Sequence, residues 1–416
     1  MSKLGFDNKV ATKVDFKRQY THVFRKAIPG EAAVCTERAL NSLGWAFTEE
    51  VTVTKVLGTG METPFARHVV TINGQELMIP WGTYGIAGLG HVRMDTNDDM
   101  QFVLTCFLEN RAPVTKWTKL VAQIEAELVQ DTARIFRGHA IRIDNPMDTI
   151  VPHIVDTSKD LPYILNDDVM EQLNTALFLP IENRDRLRGR VRLKRGIILE
   201  GQYGVGKSLT AYVAAQKAVR NGWTFLTVRS QLVRRALKLA ALLQPCVVFV
   251  EDLDEVAHGN RDALNGLLNS LSGVESKNAP EIIFLVSTNF ISRLDPGFLR
   301  PERIDAIVTL QPPNQDTVGR LVKLFAGDLL VDSGPTEWAA LCRELEKTTP
   351  AIISETVERA KIVAITSDSR FTCADLLRHA RSMQRQRELA EPKFNEDTIP
   401  MQFARNLEAV TNGDYR

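Results

Sequence analysis

The sequence has few cysteines, and none are arranged to build a disulfide framework or a metal site. The five cysteines are odd in number, widely spread and never spaced as Cys-x-x-Cys. This usage argues against both kinds of site and favours a reducing compartment. The seven histidines are isolated from one another, so no HExxH spacing of a zinc protease occurs. The cysteines are Cys35, Cys106, Cys246, Cys342 and Cys373.

The sequence also has no excess charge and no long apolar run. Fifty-one basic residues balance 51 acidic ones, so no global field draws the chain to nucleic acid or to a membrane, and any such affinity has to be local. No apolar run approaches the roughly 18 residues that span a bilayer. The first ten residues lack the apolar core of a signal peptide. We therefore expect a soluble cytoplasmic protein without membrane insertion.

The pattern along the chain predicts several domains, because 416 residues exceed the size of one ordinary core. We predict an α+β N-terminal domain over residues 1–145 that binds a substrate or partner. A proline-containing linker over residues 146–162 leads to an α/β domain over residues 163–312. A small helical domain over residues 313–390 and a C-terminal tail over residues 391–416 complete the chain.

Strand-like runs dominate the second half of the predicted N-terminal domain. Residues 1–45 read as mixed polar and helical, and runs rich in β-branched and aromatic residues follow up to residue 109. The run INGQ predicts a hairpin turn, because Asn-Gly suits positive φ. We interpret WGTYGIAGLG as a turn-rich connection, with a mobile aromatic loop that grips a partner as the alternative. Residues 114–136 have a helical period.

Residues 201–208 read GQYGVGKS and satisfy the phosphate-binding pattern G-x-x-x-x-G-K-[ST]. An apolar predicted strand precedes them and a predicted helix follows, as the motif requires. Glycines let successive amides face phosphate oxygens, and the helix adds its positive end. Lys207 is expected to reach the β- and γ-phosphates of ATP, and the Ser208 hydroxyl to ligate Mg²⁺. The predicted nucleotide-binding residues are Gly201, Gln202, Tyr203, Gly204, Val205, Gly206, Lys207, Ser208 and Leu209.

Polar side chains follow two further apolar strands of the predicted sheet. Short apolar strands alternate with helices after residue 163, which predicts a five-stranded parallel sheet covered on both faces. CVVFV ends in Glu251 and Asp252, and IIFLVST ends in Asn289. Glu251 is predicted to face the Mg²⁺ shell, and Asp252 to polarise the attacking water. Asn289 is predicted to hold the water or the γ-phosphate in line, with a cap of the next turn as the alternative.

Two arginines follow in the run LDPGFLRPERID. Arg300 and Arg303 lie three residues apart after a proline-bounded helix end. A guanidinium that stabilises the transferring charge is an arginine finger. Their place on the far side of the strand favours the nucleotide of a neighbouring subunit over their own. The alternative is a pair of surface arginines that contact Glu302 and Asp305.

These motifs together resemble the AAA ATPases of the AAA+ superfamily. GQYGVGKS resembles Walker A and CVVFVEDLD resembles Walker B, while LLNSLSGV through RPERID resembles the second region of homology. The resemblance covers roughly residues 160–390. It implies a P-loop NTPase fold with a C-terminal helical lid, and a homo-oligomer that is usually a hexameric ring. It also implies that Arg300 and Arg303 act in trans, and that hydrolysis drives remodelling of a macromolecule, expected to be a protein.

The sequence departs from that family at several positions. Gln202 and Tyr203 stand where two prolines are common, Glu302 replaces a glycine, and the strand-end pair Glu251-Asp252 reverses the usual order. The segment between TFLTV and CVVFV is short, without the pore-facing aromatic residue and glycine of protein-threading members. The short segment and the Glu251-Asp252 order both resemble the mitochondrial AAA subfamily that translocates a Rieske iron-sulphur subunit, although no membrane anchor is found in this sequence. The hypothesis is an action on folded or assembled partners.

The same short segment is basic, which leaves a nucleic-acid substrate open as an alternative to a protein. Arg229, Arg234 and Arg235 are candidate pore residues, and a second basic run covers residues 184–195. If the segment lines a pore, a nucleic-acid strand is an alternative substrate. Solvated helix faces and contacts to phosphates or neighbouring subunits are the other interpretation. The shorter Asp252 motivates a third hypothesis, a nucleotide-switched scaffold with weak hydrolysis.

Overall fold

A computed structural model describes the chain between residues 18 and 390, apart from several gaps. The predicted helix DALNGLLNSL and the predicted C-terminal tail lie outside the described residues. Contacts divide the chain into two compact units, residues 1–311 and residues 312–416. The residues left out of the description are 1–17, 46, 51–65, 73, 98–99, 109–111, 146–147, 149–152, 254–280, 295–296, 298, 301–302, 332, 347 and 391–416.

The N-terminal part of the first unit is an antiparallel sheet with two helices. The helices α1 (Pro29–Ser42) and α2 (Val114–Val129) pack against each other. The rings of Phe24 and Trp81 lie 5.7 and 5.9 Å from that of Phe102, in the apolar core of the sheet. The strand order is β1-β6-β5-β4-β2, with β3 paired to β4. The strands are β1 (Arg18–Phe24), β2 (Phe47–Glu50), β3 (Ala66–Ile72), β4 (Gln75–Ile86), β5 (Gly90–Thr96) and β6 (Phe102–Leu108).

The hairpin predicted over INGQ is confirmed, whereas the interpretation of WGTYGIAGLG is wrong. Strand β3 pairs with β4 with Ile72 opposite Gln75, and Gly74 has a φ of 79°. Residues 81–86 of the glycine-rich run continue β4 and are all buried, so only residues 87–89 form a turn. Glycine lowers strand propensity, but packing against the core decides the conformation here.

The second part of the first unit is a seven-stranded sheet in the order β13-β9-β12-β11-β10-β7-β8. All its neighbouring strands are parallel except β7 and β8. The five predicted strands are present as β9 to β13, while the short strands β7 and β8 are additional. The strands are β7 (Ala140–Ile143), β8 (His153–Ile154), β9 (Arg195–Glu200), β10 (Thr224–Val228), β11 (Cys246–Val250), β12 (Ile282–Thr288) and β13 (Ala306–Thr309).

The helices of this part belong to the α/β pattern that the sequence predicts. Every residue of β11 and β12 is buried, as expected of parallel strands covered on both faces. The predicted helix over residues 169–178 begins at Asp167 and continues as a π-helical segment over Asn174–Phe178. The helices are α3 (Asp167–Leu173), α4 (Leu179–Glu182), α5 (Arg184–Leu187), α6 (Lys207–Arg220) and α7 (Val233–Leu242).

The structure adds two facts to the predicted boundaries at residues 145 and 162. Strand β7, before the predicted linker, pairs with β10 and so belongs to the seven-stranded sheet. The linker lies along α6, where Gln216 Nε2 donates to the carbonyl oxygens of Thr157 and Lys159 at 3.0 and 2.7 Å. One apolar core runs from the N-terminal sheet into the parallel sheet. Residues 1–311 are therefore a single compact unit.

The second unit is helical in its described residues, as predicted for residues 313–390. Asn314 caps its first helix, because Asn314 Oδ1 accepts a hydrogen bond from the amide of Thr317 at 2.9 Å. Its helices are α8 (Gln315–Ala326), α9 (Pro335–Leu345), α10 (Pro350–Thr366) and α11 (Cys373–Ala390). Across the described parts of both units, no helix has the length and apolar character needed to cross a bilayer.

Candidate nucleotide-binding site

The loop between β9 and α6 has the backbone conformation of a phosphate-binding loop. Gly201, Gly204 and Gly206 have φ angles of 152°, 82° and 107°, which side chains disfavour. A Cβ at Gly201 would collide with the carbonyl oxygen of Leu310 at the end of β13. Because α6 begins at Lys207, the loop amides and the positive end of the helix face the same space.

Lys207 is buried at the centre of the site. Its Nζ atom donates hydrogen bonds to the carbonyl oxygens of Gly201 and Gln202, at 2.7 and 2.9 Å, and to Asn289 Oδ1 at 2.6 Å. An ammonium has three donors, and the three acceptors compensate for its burial. Nζ also lies 5.7 Å from the centre of the exposed Tyr203 ring. The side chain is therefore held between the P-loop and the end of β12.

Ser208 and Glu251 meet on the exposed side of the loop. Ser208 Oγ donates to Glu251 Oε1 at 2.9 Å, and both residues are exposed. A hydroxyl and a carboxylate are hard oxygen donors of the kind that Mg²⁺ prefers. The two residues predicted to ligate Mg²⁺ are thus adjacent, and their chemistry fits that ion.

Asp252 adopts an unusual backbone conformation at the end of β11. Its φ is 46°, in a region that costs a non-glycine residue about 1 kcal/mol or more. Ser287 in β12 and Asn289 directly after β12 compensate for this cost through hydrogen bonds. The Asp252 amide donates to Ser287 Oγ at 3.0 Å, and Asn289 Nδ2 donates to Asp252 Oδ1 at 3.2 Å. The strained backbone and the orientation of the carboxylate are thereby fixed.

Asn289 connects the lysine to the carboxylate. Its side-chain oxygen accepts from Lys207 and its side-chain nitrogen donates to Asp252. This is possible because β12 lies between β9 and β11 in the sheet. The side chain therefore bridges the two halves of the site, while the next turn has Phe290 at its N-cap position without a side-chain cap.

The sequence interpretation did not single out Ser287, although a signal was present. Ser287 is buried and directly precedes Thr288 and Asn289, so three polar residues end an otherwise apolar strand. Buried polar groups in a strand require partners, and the Asp252 amide is the partner of Ser287. A hydroxyl next to a predicted catalytic amide was therefore a candidate positioning group.

A second missed contact holds the loop from the other side. Tyr163 donates from its hydroxyl to Thr210 Oγ1 at 3.0 Å, and Thr210 Oγ1 donates to the carbonyl oxygen of Gly206 at 2.9 Å. Burial raises the pKa of the Tyr163 hydroxyl, so it keeps the proton that it donates. No pattern in the sequence pointed to this pair, because 47 residues separate its members.

The two candidate arginine fingers have different environments. Arg303 is half-buried, and its Nη1 donates to the carbonyl oxygen of Gly297 at 2.7 Å. Arg300 is exposed, and its guanidinium has no partner in the described part of the chain. The alternative pairing with Asp305 is not observed, because Asp305 Oδ2 accepts from the amide of Gly196 on β9 at 2.8 Å. Glu302 lies outside the described residues.

The candidate pore residues lie on and just before α7. Arg229 forms an ion pair with Asp144, with 3.1 Å between Nε and Oδ1. Arg234 and Arg235 are exposed, since α7 turns Val233, Ala236, Leu239 and Ala240 toward the core. In the second basic run, Arg184 and Arg188 bind Glu281 at 2.7 and 2.9 Å. Ion pairs within the chain thus account for part of the positive charge.

Comparison with protein families identifies the domain that carries this geometry. Residues 197–312 match the model of the ATPase family associated with various cellular activities (AAA). The match begins in β9 and includes the P-loop, Glu251, Asp252, Asn289 and both arginines. Residues 197–312 therefore form an AAA domain, a family whose members are ATPases, and the P-loop NTPase fold expected from the sequence is confirmed.

Individual relatives agree with this domain over part of their lengths. The 26S proteasome regulatory subunit 6A of Saccharomyces cerevisiae is 25% identical over 48% of this chain and 50% of its own length. The 26S proteasome regulatory subunit 4 homolog of Oryza sativa subsp. japonica is 31% identical over 39% and 41%. The ATP-dependent zinc metalloprotease FtsH of Acholeplasma laidlawii is 28% identical over 42% and 30%. The chain thus spans half or less of the length of these three relatives.

Proposed function

We propose that this protein hydrolyses ATP in a Mg²⁺-dependent reaction and couples hydrolysis to the remodelling of a protein substrate. The observation that supports it best is the hydrogen-bonded chain from Lys207 through Asn289 to Asp252. It connects the loop that would hold the phosphates to the carboxylate that would act on water. A structural salt bridge would not need an intervening amide that contacts both groups.

Each group in the site has a distinct role in the proposed reaction. The P-loop amides and Lys207 Nζ bind the phosphates of ATP. Mg²⁺, held by Ser208 and Glu251, would supply neutralisation of the phosphate charge. Asp252 orients the attacking water and accepts its proton, while Asn289 keeps the carboxylate and the lysine in register. Ser287 positions Asp252 through its backbone amide.

The arginines support a site that a second subunit completes. Arg300 is exposed without a partner in the described residues, so its guanidinium is available to the nucleotide of a neighbour. Arg303 is tied to Gly297, and it acts from a position that this contact fixes. Following the resemblance to ring-forming AAA proteins, we propose a homo-oligomer, with a hexameric ring as the expected form. A mass measurement with and without ATP tests this assembly.

A protein substrate is supported by the names of the relatives, which include proteasome regulatory subunits and a metalloprotease. The Glu251-Asp252 order and the short segment around α7 support the narrower resemblance to the Rieske-subunit translocase, and with it an action on folded partners. The exposed Arg234 and Arg235 favour a nucleic-acid motor as the second candidate. A scaffold with weak hydrolysis is the third.

The substitution Asp252→Asn tests the proposed chemistry. We expect phosphate release to fall about a thousandfold, while a fluorescent ATP analogue still binds, because the P-loop is unchanged. Asp328→Asn, an exposed acid of the second unit, is the matched control. Wild-type turnover that is negligible and unchanged by Asp252→Asn would support the scaffold. Strong stimulation of turnover by single-stranded DNA would support the nucleic-acid motor.

A further inference from the structure

A cavity of about 320 Å³ lies between α7 and the N-terminal sheet. Its walls come from the start of α1, from Met100 and Gln101 just before β6, and from α7. We call it the α7 cavity. None of the P-loop, Glu251, Asp252 or Asn289 lines it among the described residues, so it is separate from the nucleotide site.

Three cationic side chains converge on the α7 cavity. Arg25 comes from the end of β1, whereas Arg235 and Lys238 come from α7. The guanidinium groups of Arg25 and Arg235 are exposed and form no hydrogen bond or ion pair in the part of the chain that the structure describes. The positive charges of Arg25 and Arg235 at one cavity repel each other, and an anionic ligand would remove this repulsion. The planar guanidinium fork suits carboxylates and phosphates.

The remaining wall of the α7 cavity is largely apolar. Pro29 and Leu239 are buried, and Leu242 is half-buried beside them. Gln101 Oε1 accepts from Asn97 Nδ2 at 2.9 Å, and the Gln101 side-chain nitrogen can donate to a peptide backbone. A mostly apolar wall with a few charged groups is typical of binding pockets. The lining therefore suits a ligand with acidic groups next to apolar ones.

The lining disfavours a nucleic-acid strand. Single-stranded nucleic acid is bound by basic grooves in which bases stack on aromatic side chains. No aromatic side chain lines the cavity among the described residues. The volume lies near the lower end of the roughly 300–1,000 Å³ of ligand pockets, which suits a few peptide side chains. Clusters of arginines are a recurring means of recognising acidic peptide motifs.

We infer that the α7 cavity binds a short acidic peptide segment of a protein substrate or partner, with carboxylates on Arg25 and Arg235 and an apolar side chain on Leu239. This inference rests on the proposed function for the identity of the ligand as a protein. It gives the N-terminal region a specific part in recognition. It also places the peptide on the helix before β11, the strand that Glu251 and Asp252 directly follow.

The test is a binding titration with the full-length protein. A fluorescein-labelled peptide carrying glutamates beside leucines is titrated by anisotropy at low salt, without nucleotide. The same peptide with glutamines replacing the glutamates is expected to bind at least tenfold more weakly, by the usual strength of charged hydrogen bonds. On the same grounds, Arg25→Gln and Arg235→Gln are each expected to weaken binding about tenfold. Thermal melting checks that both variants fold.

Arg234→Gln is the matched control for Arg235→Gln. Arg234 is the adjacent exposed arginine of α7 but does not line the cavity, so its substitution is expected to change the affinity by less than about twofold. Equal losses from Arg234→Gln and Arg235→Gln would indicate diffuse attraction to the helix and overturn the inference. Failure of the wild-type protein to bind the peptide would also overturn it, as would tighter binding of single-stranded DNA that Arg235→Gln abolishes.

ATP hydrolysis measured on the same preparations separates this inference from the proposed function. Hydrolysis without peptide binding overturns the peptide site and leaves the ATPase proposal intact. Peptide binding without hydrolysis supports the cavity and contradicts the ATPase proposal.

Discussion

The two sheets of residues 1–311 share one apolar core but differ in what their strands carry at their ends. In the parallel sheet, β11 and β12 are buried throughout and then end abruptly in Glu251, Asp252 and Asn289. In the antiparallel sheet, consecutive strands β3 and β4 or β5 and β6 pair with each other along their lengths. Among the described residues of the N-terminal part, the buried polar side chains include Glu31 on α1 and Thr105 on β6.

This difference means that the candidate catalytic groups lie at strand ends, apart from the side chains that pack the core. Parallel strands that end at one edge can place acid, amide and lysine groups together without disturbing the core, and α/β sheets bind ligands at that edge. The antiparallel sheet uses its interior for packing. Substitutions at the strand ends should therefore change catalysis with little effect on folding. Substitutions inside the N-terminal sheet should change stability and leave turnover intact.

The largest effect is expected for Lys207→Ala. Loss of the ammonium that contacts the P-loop and Asn289 should weaken ATP binding about a hundredfold and reduce phosphate release below detection. Nucleotide-free melting should change little. Binding of a fluorescent ATP analogue and phosphate release are the measurements, with Lys119→Ala on the exposed side of α2 as control. Turnover that survives Lys207→Ala would place the reaction elsewhere.

The next largest effect is expected for Glu31→Gln, as a change in stability. Glu31 is buried in the first turn of α1, and Glu31 Oε1 accepts from the amide of Phe136 at 3.2 Å. Burial raises the pKa of its carboxyl from 4.5 to about 7, against the opposing effect of hydrogen bonds from Phe136 and Ile135. The stability that this group contributes is therefore complete below pH 4.5 and is lost as the pH rises through 7.

Glutamine keeps the acceptor but cannot ionise, so Glu31→Gln should remove this loss. Relative to the variant, the wild-type protein should lose about 3 kcal/mol of unfolding free energy between pH 5 and 8. Denaturant unfolding across that range measures the slope. Glu37→Gln on the same helix should keep the wild-type slope. An unchanged slope in Glu31→Gln would contradict the assignment of the pH dependence to Glu31. A large fall in the turnover of Glu31→Gln would contradict the expectation that substitutions inside the N-terminal part leave catalysis intact.

The smallest effect is expected for Ser287→Ala, which removes a single oxygen atom near the end of β12. Without the hydroxyl that accepts from the Asp252 amide, the carboxylate should lose its fixed orientation. We expect kcat to fall about tenfold, equivalent to about 1.4 kcal/mol, while KM for ATP stays unchanged. Ser287→Thr keeps the hydroxyl and should restore kcat. If alanine and threonine behave alike, the serine has only a packing role.

The sequence identified the residues of the candidate nucleotide site more readily than the contacts that hold them. Glu251 and Asn289 were identifiable because chemistry restricts both the residue type and its place after a strand. Ser287 and Tyr163 were missed because each acts through one hydrogen bond to a residue that is distant in sequence. Arg303 could not be distinguished from Arg300 without the Gly297 contact.

The fold was predicted where a pattern is local and missed where packing decides. The continuous apolar strands and the INGQ hairpin are local signals. The glycine-rich run 81–90 was misread because burial against the core outweighs glycine's preference for turns. Strand β7 has four residues, and nothing in them shows that β10, more than 80 residues later, is its partner.

The pairing of β7 with β10 limits how the chain can be divided or recombined. A fragment that starts at residue 163 would lack β7 and leave β10 as an open sheet edge, because Ala140 to Ile143 align with Phe225 to Val228. It would also lose the segment around Lys159 that covers α6. A chimera that exchanges the recognition region therefore has to supply its own edge strand. Otherwise, the exposed ladder of β10 becomes a template for aggregation.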